Sequence, residues 1–270
     1  MDKHLKGDFL LNQLPLFAEE RREEIIRLLN ERSKLLLSEL CDHFDVSPAT
    51  IRNDLRDLEQ AGRLKRTHGG AISVSKAAFE LTSRRKEVEH IEEKYRIAKC
   101  AEQLIEDGDT ILLDTGSTTM ELAKLLTKKT GLTIVTNDIK IALFLEEHSN
   151  AAIYLLGGTL RRHFHSTTGL AAVSQVSNLN VDKAFMASNA LSLEKGFTTP
   201  SLDLANIKQA MIKTASMVIF LIDSHKFGRI SFTHFADLQE VDKLITDTGA
   251  DKAFLDALQV KHKDLEITTV

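Results

Sequence analysis

The stretch Ser47-Pro48-Ala49-Thr50-Ile51-Arg52-Asn53-Asp54-Leu55-Arg56-Asp57-Leu58 constrains this chain more than any other. Ser47 is placed to accept a backbone N–H as N-cap, and Pro48 stands where its fixed φ and missing donor do no harm. Ile51, Leu55 and Leu58 recur at i, i+4 and i+7, so the spacing predicts one buried stripe on a helix. Thr50, Arg52, Asn53 and Arg56 are left on or beside the outward face. These side chains can donate to phosphates or to base edges in a major groove.

The flanks fit the same reading. Glu19 to Glu31 carries Ile25, Ile26, Leu28 and Leu29 on one face and predicts a first helix. Ser38 is the expected cap of a short second helix with Leu40, Cys41 and Phe44 inward, and Asp45-Val46 is the turn before Ser47. Two helices joined so tightly make a helix-turn-helix, the second being the one that enters the groove. Gly62 stands where a helix ends in the left-handed region. Arg63, Lys65 and Arg66 around Leu64, a turn at His68-Gly69-Gly70 and a returning Ala71 to Val74 predict a basic hairpin, or wing. Arg66 and His68 are its phosphate or minor-groove candidates.

The chain has 270 residues, more than one core usually serves, and two domains are expected. Its formal charge of −4 supplies no global attraction to nucleic acid, so binding must come from local segregation of charge. With no Trp and two Tyr, an aromatic carbohydrate cleft is disfavoured. Cys41 and Cys100 lack CxxC spacing and are expected as small buried thiols in a reducing compartment. The first twenty residues lack a signal-peptide pattern, and the apolar run Met217 to Ile222 is too short to span a bilayer. A cytoplasmic protein without membrane contact is expected.

The domain reading is 1–75 for DNA binding, 76–93 as a charged linker without apolar periodicity, and 94–270 as a second domain. From Lys94 onward, strand-like and helix-like segments alternate, which implies a parallel sheet flanked by helices and an α/β class. In such sheets ligands bind beyond the carboxyl ends of the strands. Asp114-Thr115-Gly116-Ser117-Thr118-Thr119 lies between a strand and a helix and has the outline of a phosphate cradle, or equally of an N-capping turn. It matches neither GxxxxGK[ST] nor GxGxxG, so nucleotide cofactors are not expected. Thr136-Asn137-Asp138, Gly157-Gly158-Thr159 and Asp223-Ser224-His225-Lys226 follow other strands and would converge on one crevice.

From Arg21 to Ala71 the chain resembles the N-terminal domain of the DeoR-type family of bacterial sugar-operon repressors. The resemblance is carried by Val46 to Leu55, Leu58-Glu59, Gly62 and Arg66-Thr67-His68-Gly69-Gly70-Ala71. Asn53 stands where the family commonly has a second arginine. From Lys94 to about Asp247 it resembles that family's effector domain, through Asp114 to Thr119, Val135-Thr136-Asn137, Gly157-Gly158, Asp182 to Phe185, Gly196, Lys208, Met211 and Asp223 to Phe227. Ala187 and Leu204 depart from the pattern, at positions where glycine and an acidic residue are common.

The resemblance implies a winged helix-turn-helix joined to an α/β domain like the sugar-phosphate isomerases. It further implies a repressor of a sugar or sugar-alcohol operon that binds double-stranded operator DNA and answers to a phosphorylated sugar. The DNA contacts expected are Ser47, Thr50, Arg52, Asn53, Arg56, Arg66 and His68. For the effector they are Asp114, Gly116, Ser117, Thr118, Thr119, Asn137, Gly157, Gly158, Lys208, Asp223 and Lys226. A two-fold operator calls for a homodimer or homotetramer. No catalytic residue, metal or cofactor is expected. The competing reading is a sugar-phosphate isomerase or deaminase with a fused DNA-binding domain, using Asp114 or Asp223 as base. A metal enzyme using His163, His165 and His225 is a weak third, since no Cys or Glu partner accompanies them.

Overall fold

A computed structural model describes residues 17–32, 34–73, 80 and 83–270. The chain divides into two compact units, 1–79 and 80–270.

In the first unit α1 (Ala18–Arg32) is followed by β1 (Lys34–Leu36), α2 (Leu37–Phe44) and α3 (Pro48–Gln60), then β2 (Leu64–Thr67) and β3 (Gly70–Ser73). Ile25, Ile26, Leu29, Leu40, Ile51, Leu55 and Leu58 close on one another with Leu35, Leu64 and Ala71 from the sheet. Ser47 is the cap of α3, its hydroxyl accepting from the Thr50 amide at 3.2 Å with Pro48 at the first turn. Gly62 follows α3 at φ 68°. The expected cap at Ser38 is displaced: α2 begins at Leu37, and the Leu36 amide donates to the Glu39 carboxylate at 3.0 Å. The apolar run before α2 is a strand, because Leu35 pairs with Ala71 and so adds β1 to the hairpin in the order β1-β3-β2. The hairpin turns at His68-Gly69, with Thr67 opposite Gly70, and Val74 lies outside the described residues.

The second unit begins earlier than the charge pattern predicted. Residue 80 and α4 (Ser83–Val88) belong to it, so the linker expected over 76–93 is structured from residue 83. The Ser83 amide and hydroxyl donate to the carbonyls of His163 and Phe164 at 3.2 and 3.0 Å. Charged side chains hold this segment by ion pairs, a mode of packing that leaves no apolar period in the sequence.

After α5 (Ile91–Glu102) come β4 (Thr110–Leu113), α6 (Ser117–Leu125), β5 (Thr133–Thr136), α7 (Ile139–His148) and β6 (Ala152–Leu155). The hairpin β7 (Thr159–Arg161) and β8 (Ser166–Thr168), α8 (Leu170–Val176) and β9 (Val181–Met186) follow. The chain then forms β10 (Ala190–Ser192), β11 (Gly196–Thr199), α9 (Leu202–Thr214), β12 (Ala215–Leu221), β13 (Thr233–Ala236), β14 (Lys243–Thr246), α10 (Lys252–Lys261) and β15 (Glu266–Thr269). Seven strands make one parallel sheet in the order β15-β14-β12-β9-β4-β5-β6.

Alternation along the strands sends residues to opposite faces. Ile111, Leu113, Ile134, Phe185, Ile219 and Ile245 pack on one face with Ile97, Leu122 and Ile141 of α5, α6 and α7. Leu112, Val135, Ala184, Met186, Phe220 and Leu244 pack on the other with Ile207 and Met211 of α9. A small antiparallel sheet, β10-β11-β13, lies against that second face, where Phe197 stacks on Phe220 at 3.9 Å between ring centroids. Both faces are thus covered, and the strand ends are the part of the sheet left to hold polar groups. Among the described residues, no helix is long and apolar enough to cross a membrane.

Candidate DNA-binding surface and effector crevice

On α3 the stripe is buried and Arg52, Asn53 and Arg56 are exposed. Ser47 and Thr50 are partly spent on each other, their hydroxyls 2.9 Å apart, which makes Ser47 a cap before it is a contact. The helix is held from behind by a group that periodicity does not reveal. Asp54 is 2% exposed and pairs with Arg21 at 2.6 Å and Arg22 at 2.9 Å, both from α1. Arg22 also reaches Asp57 at 2.6 Å.

The wing is tied to the same helix. The Glu59 carboxylate accepts from the Arg66 amide at 2.9 Å and from its Nε at 2.6 Å, and these bonds hold the Glu59 carboxyl below the usual range. Arg66 remains an exposed cation with a fixed origin, and His68 is exposed at the hairpin turn. Glu59 was the missed partner; its signal was only a carboxylate on the helix opposite a basic strand.

In the second unit the strand-end groups sort into two kinds. Asp114 and Lys208 are fully buried and form an ion pair. Asp114 also accepts from the amides of Thr115 at 2.8 Å and Ala187 at 3.0 Å, while Lys208 donates to the Ala187 carbonyl at 2.9 Å. Both were expected as effector contacts, yet their charges are spent on each other, and they join β4, β9 and α9. Thr119 is likewise committed, its hydroxyl donating to the carbonyls of Asp114 at 2.6 Å and Gly116 at 2.9 Å. Gly157 donates its amide to Gln175 at 2.9 Å, and a Cβ on Gly158 would meet the Thr168 carbonyl oxygen at 2.4 Å, so these two glycines serve close packing.

The other kind keeps capacity. At the start of α6 the amides of Ser117, Thr118 and Thr119 are the first-turn donors that an α-helix leaves without internal partners. Asn137 is fully buried; its Nδ2 donates to the Thr167 carbonyl at 3.0 Å, but its Oδ1 has no hydrogen-bond partner. The buried Ser166 Oγ and His165 Nδ1, on the chain paired with Asp138 and Ile139, also lack one. Asp138 caps α7 and accepts from the Thr115 hydroxyl at 2.7 Å, and desolvation pushes its carboxyl above the usual range.

Across the sheet, Lys226 lies 3.0 Å from Asp223. Burial pushes the Asp223 carboxyl up, but Lys226 outweighs it, with help from Lys94 and His90, and holds it below the usual range. Ser224 donates its amide and hydroxyl to Asp247 at 2.7 and 2.8 Å, which pins this turn. His225 stacks on His90 with ring centroids 3.5 Å apart, whereas His163 and His165 sit at positive φ beside β8. Among the described residues, no three His, Cys, Asp or Glu side chains converge as a metal ion would need.

The profile of the DeoR-like helix-turn-helix domain matches residues 21–77, and that of the DeoR C terminal sensor domain matches residues 89–248. The chain belongs to the DeoR family. This DeoR-family chain is 40% identical to the HTH-type transcriptional regulator GlpR of Haloferax volcanii over 87% of its own length and 92% of that protein's. It is 35% identical to the HTH-type transcriptional repressor GlcR of Bacillus subtilis, over 94% and 97% of the two chains. Among solved structures it is similar to a D-ribose-5-phosphate isomerase in complex with phospho-erythronic acid. There the TM-score is 0.39 at 23% identity, over 51% of this chain and 54% of that one.

Two positions mark this DeoR-family chain. Ala187 brings its methyl to the place where a Cβ on Gly116 would sit, 2.9 Å away, so Gly116 has no room for a side chain. Leu204 is buried in the core of α9, where an acidic side chain would lose its water without a partner.

Proposed function

We propose that this protein is a transcriptional repressor of sugar-utilisation genes whose operator affinity is set by a phosphorylated sugar bound at the strand ends of its second unit. The observation that carries the reading is the pair of family matches, a DNA-binding domain and a sensor domain on one chain. It is supported by relatives named as transcriptional regulators, and the isomerase or deaminase reading falls away with them.

On DNA, Arg52 and Asn53 read base edges, Arg56 contacts a phosphate beside them, and Arg66 and His68 contact the backbone from the wing. In the sensor, the first-turn amides of α6 hold the phosphate, Lys226 supplies charge, and Asn137 Oδ1 and Asp223 accept from sugar hydroxyls. Asp114 and Lys208 position the loops that carry these groups. The repressor acts in the cytoplasm as a homodimer or homotetramer on double-stranded, two-fold operators.

Ligand changes operator affinity only by favouring one arrangement of the protein over another; a coupling of about 1–3 kcal/mol gives about 5- to 150-fold. The deciding experiment is a mobility shift on DNA upstream of the chain's own gene, with a panel of sugar phosphates and the matching free sugars. A shift altered by one phosphorylated sugar and not by its free form is expected. Equal responses to both, or none to any, overturn the reading.

A further inference from the structure

The segment that leads from the DNA-binding unit into the sensor carries a carboxylate in an unusual setting. Glu80 has a side chain only 7% exposed. Its Oε1 accepts from Lys86 Nζ at 2.6 Å and from Asn189 Nδ2 at 3.2 Å, and its Oε2 accepts from Arg161 Nη2 at 2.7 Å. The donors come from α4, from β7 and from the turn after β9. The Phe164 ring backs both cations, 4.3 Å from the Arg161 guanidinium and 5.9 Å from Lys86 Nζ. Asn189 is oriented by the Thr199 hydroxyl, which donates to its Oδ1 at 3.0 Å and leaves the NH2 to face Glu80. Two cations, an aimed amide and an aromatic wall are the parts of an anion receptor.

The charges do not balance inside it. Lys86 and Arg161 bring two positive charges against one carboxylate, and Lys226 lies near enough to lower the Lys86 pKa further, after desolvation. The cradle also adjoins the strand-end turns, since Asn189 follows closely on Ala187, whose carbonyl and amide are held by Lys208 and Asp114. A phosphate dianion offers more charge and one more acceptor oxygen than a carboxylate, so it suits these donors better than Glu80 does.

We propose that Lys86, Arg161 and Asn189 form a phosphate-binding site beside the crevice, that Glu80 is its resident internal anion, and that a phosphate dianion enters by displacing Glu80. Displacement frees the start of the sensor, the segment that follows directly on the DNA-binding unit in sequence. The dianion is free inorganic phosphate or a second phosphate on the sugar; only the latter source rests on the effector reading above.

The test uses the full chain and hydrogen exchange across residues 83–88, titrated with inorganic phosphate, a hexose monophosphate and a hexose bisphosphate, each against chloride at matched ionic strength. Phosphate should speed exchange in 83–88, whereas binding elsewhere leaves it unchanged or slows it. By calorimetry, Glu80→Gln should bind the dianion about tenfold more tightly and Asn189→Ala more weakly. Speeding by inorganic phosphate identifies the free ion as the ligand, and speeding by the bisphosphate alone identifies the sugar's second phosphate. If no probe speeds exchange in the unmodified chain, the proposal is overturned, whether or not Glu80→Gln folds. Failure of every sugar phosphate to alter operator binding would sink the effector reading and leave the inorganic phosphate arm standing.

Discussion

The Lys208 ammonium in the middle of α9 meets the Asp114 carboxylate at the end of β4, with 2% and 0% of the two side chains exposed. Removing two charges from water costs several kcal/mol each, and their attraction offsets this only when the remaining lone pairs and protons are satisfied. Here two amides donate to the carboxylate, and the Ala187 carbonyl accepts a second proton of the ammonium. The pair therefore fixes where β4 and β9 end and where the α6 turn begins.

Breaking that pair one-sidedly should be costly. Lys208→Met leaves a buried carboxylate without its cation and is expected to lower unfolding free energy by about 3–5 kcal/mol, while adding Asp114→Asn should restore much of it. Urea denaturation of the single and double variants measures both numbers. A double variant as unstable as the sum of the singles would rule out the coupling.

On DNA, Arg52→Ala should cost about 1–3 kcal/mol of specific affinity by losing a base contact. Arg66→Ala should weaken binding to every sequence and lower the salt slope by about one. Mobility shifts on operator and scrambled DNA at several salt concentrations separate the two, and undiminished binding by both variants would remove α3 and the wing from the interface.

Lys226→Ala and Asn137→Ala should abolish the response of operator binding to the phosphorylated sugar while leaving binding itself intact. The motivation is the partly buried Lys226 cation beside Asp223 and the unpartnered Asn137 Oδ1. Calorimetry and mobility shifts on the same preparations check it, and a normal response from Lys226→Ala would exclude that residue.

Acid should act through Glu80. Burial alone would raise its carboxyl, but Lys86 and Arg161 hold it at about 2 against an ordinary 4.5. A carboxyl depressed on folding adds stability that is complete above its unfolded pKa and is lost as pH falls toward the folded one, here on the order of 3 kcal/mol. Glu80→Gln should flatten the fall in urea stability between about pH 5 and pH 3. Lys94 gives a slope of the same sign at higher pH: desolvation and then Lys226 bring it down to about 8, so the penalty of its buried charge is relieved as pH rises from there toward 10.5.

We also expect a fragment starting at residue 80 to melt at a higher temperature than one starting at residue 94. The shorter piece lacks Glu80, Lys86 and Glu87, and with them the Glu80–Lys86 pair at 2.6 Å, the Glu80–Arg161 pair at 2.7 Å and the Lys140–Glu87 pair at 2.6 Å. Equal melting temperatures would return the segment to the role of a linker.

The parts legible in sequence were those that local chemistry dictates. The Ser47 cap, the Ile51-Leu55-Leu58 stripe and the alternation of apolar strands with helices each follow from neighbours within a turn or two. What escaped depends on partners far along the chain. Leu35 is a strand residue because it meets Ala71, and Asp54 is buried because Arg21 and Arg22 reach it from α1. Lys208 looked like a ligand for phosphate because nothing near it in sequence shows Asp114 beside it, and the 80–88 segment looked solvated because ion pairs carry no hydrophobic period. Of the site, the strand-end turns were visible; which of their donors are already committed was not.

The order of the seven-stranded sheet has a consequence for how the protein is made. Strand β9 sits between β4, already synthesised, and β12, which follows two strands of the small sheet and a helix later, and the edge strand β15 comes after all of these. Chains emerge from the ribosome N-terminus first, and domains fold as units. The DNA-binding unit is therefore complete while the sensor still lacks the half of its sheet that carries Asp223 and Lys226. A nascent or interrupted chain would possess the helix-turn-helix before it possessed a complete sensor to govern it.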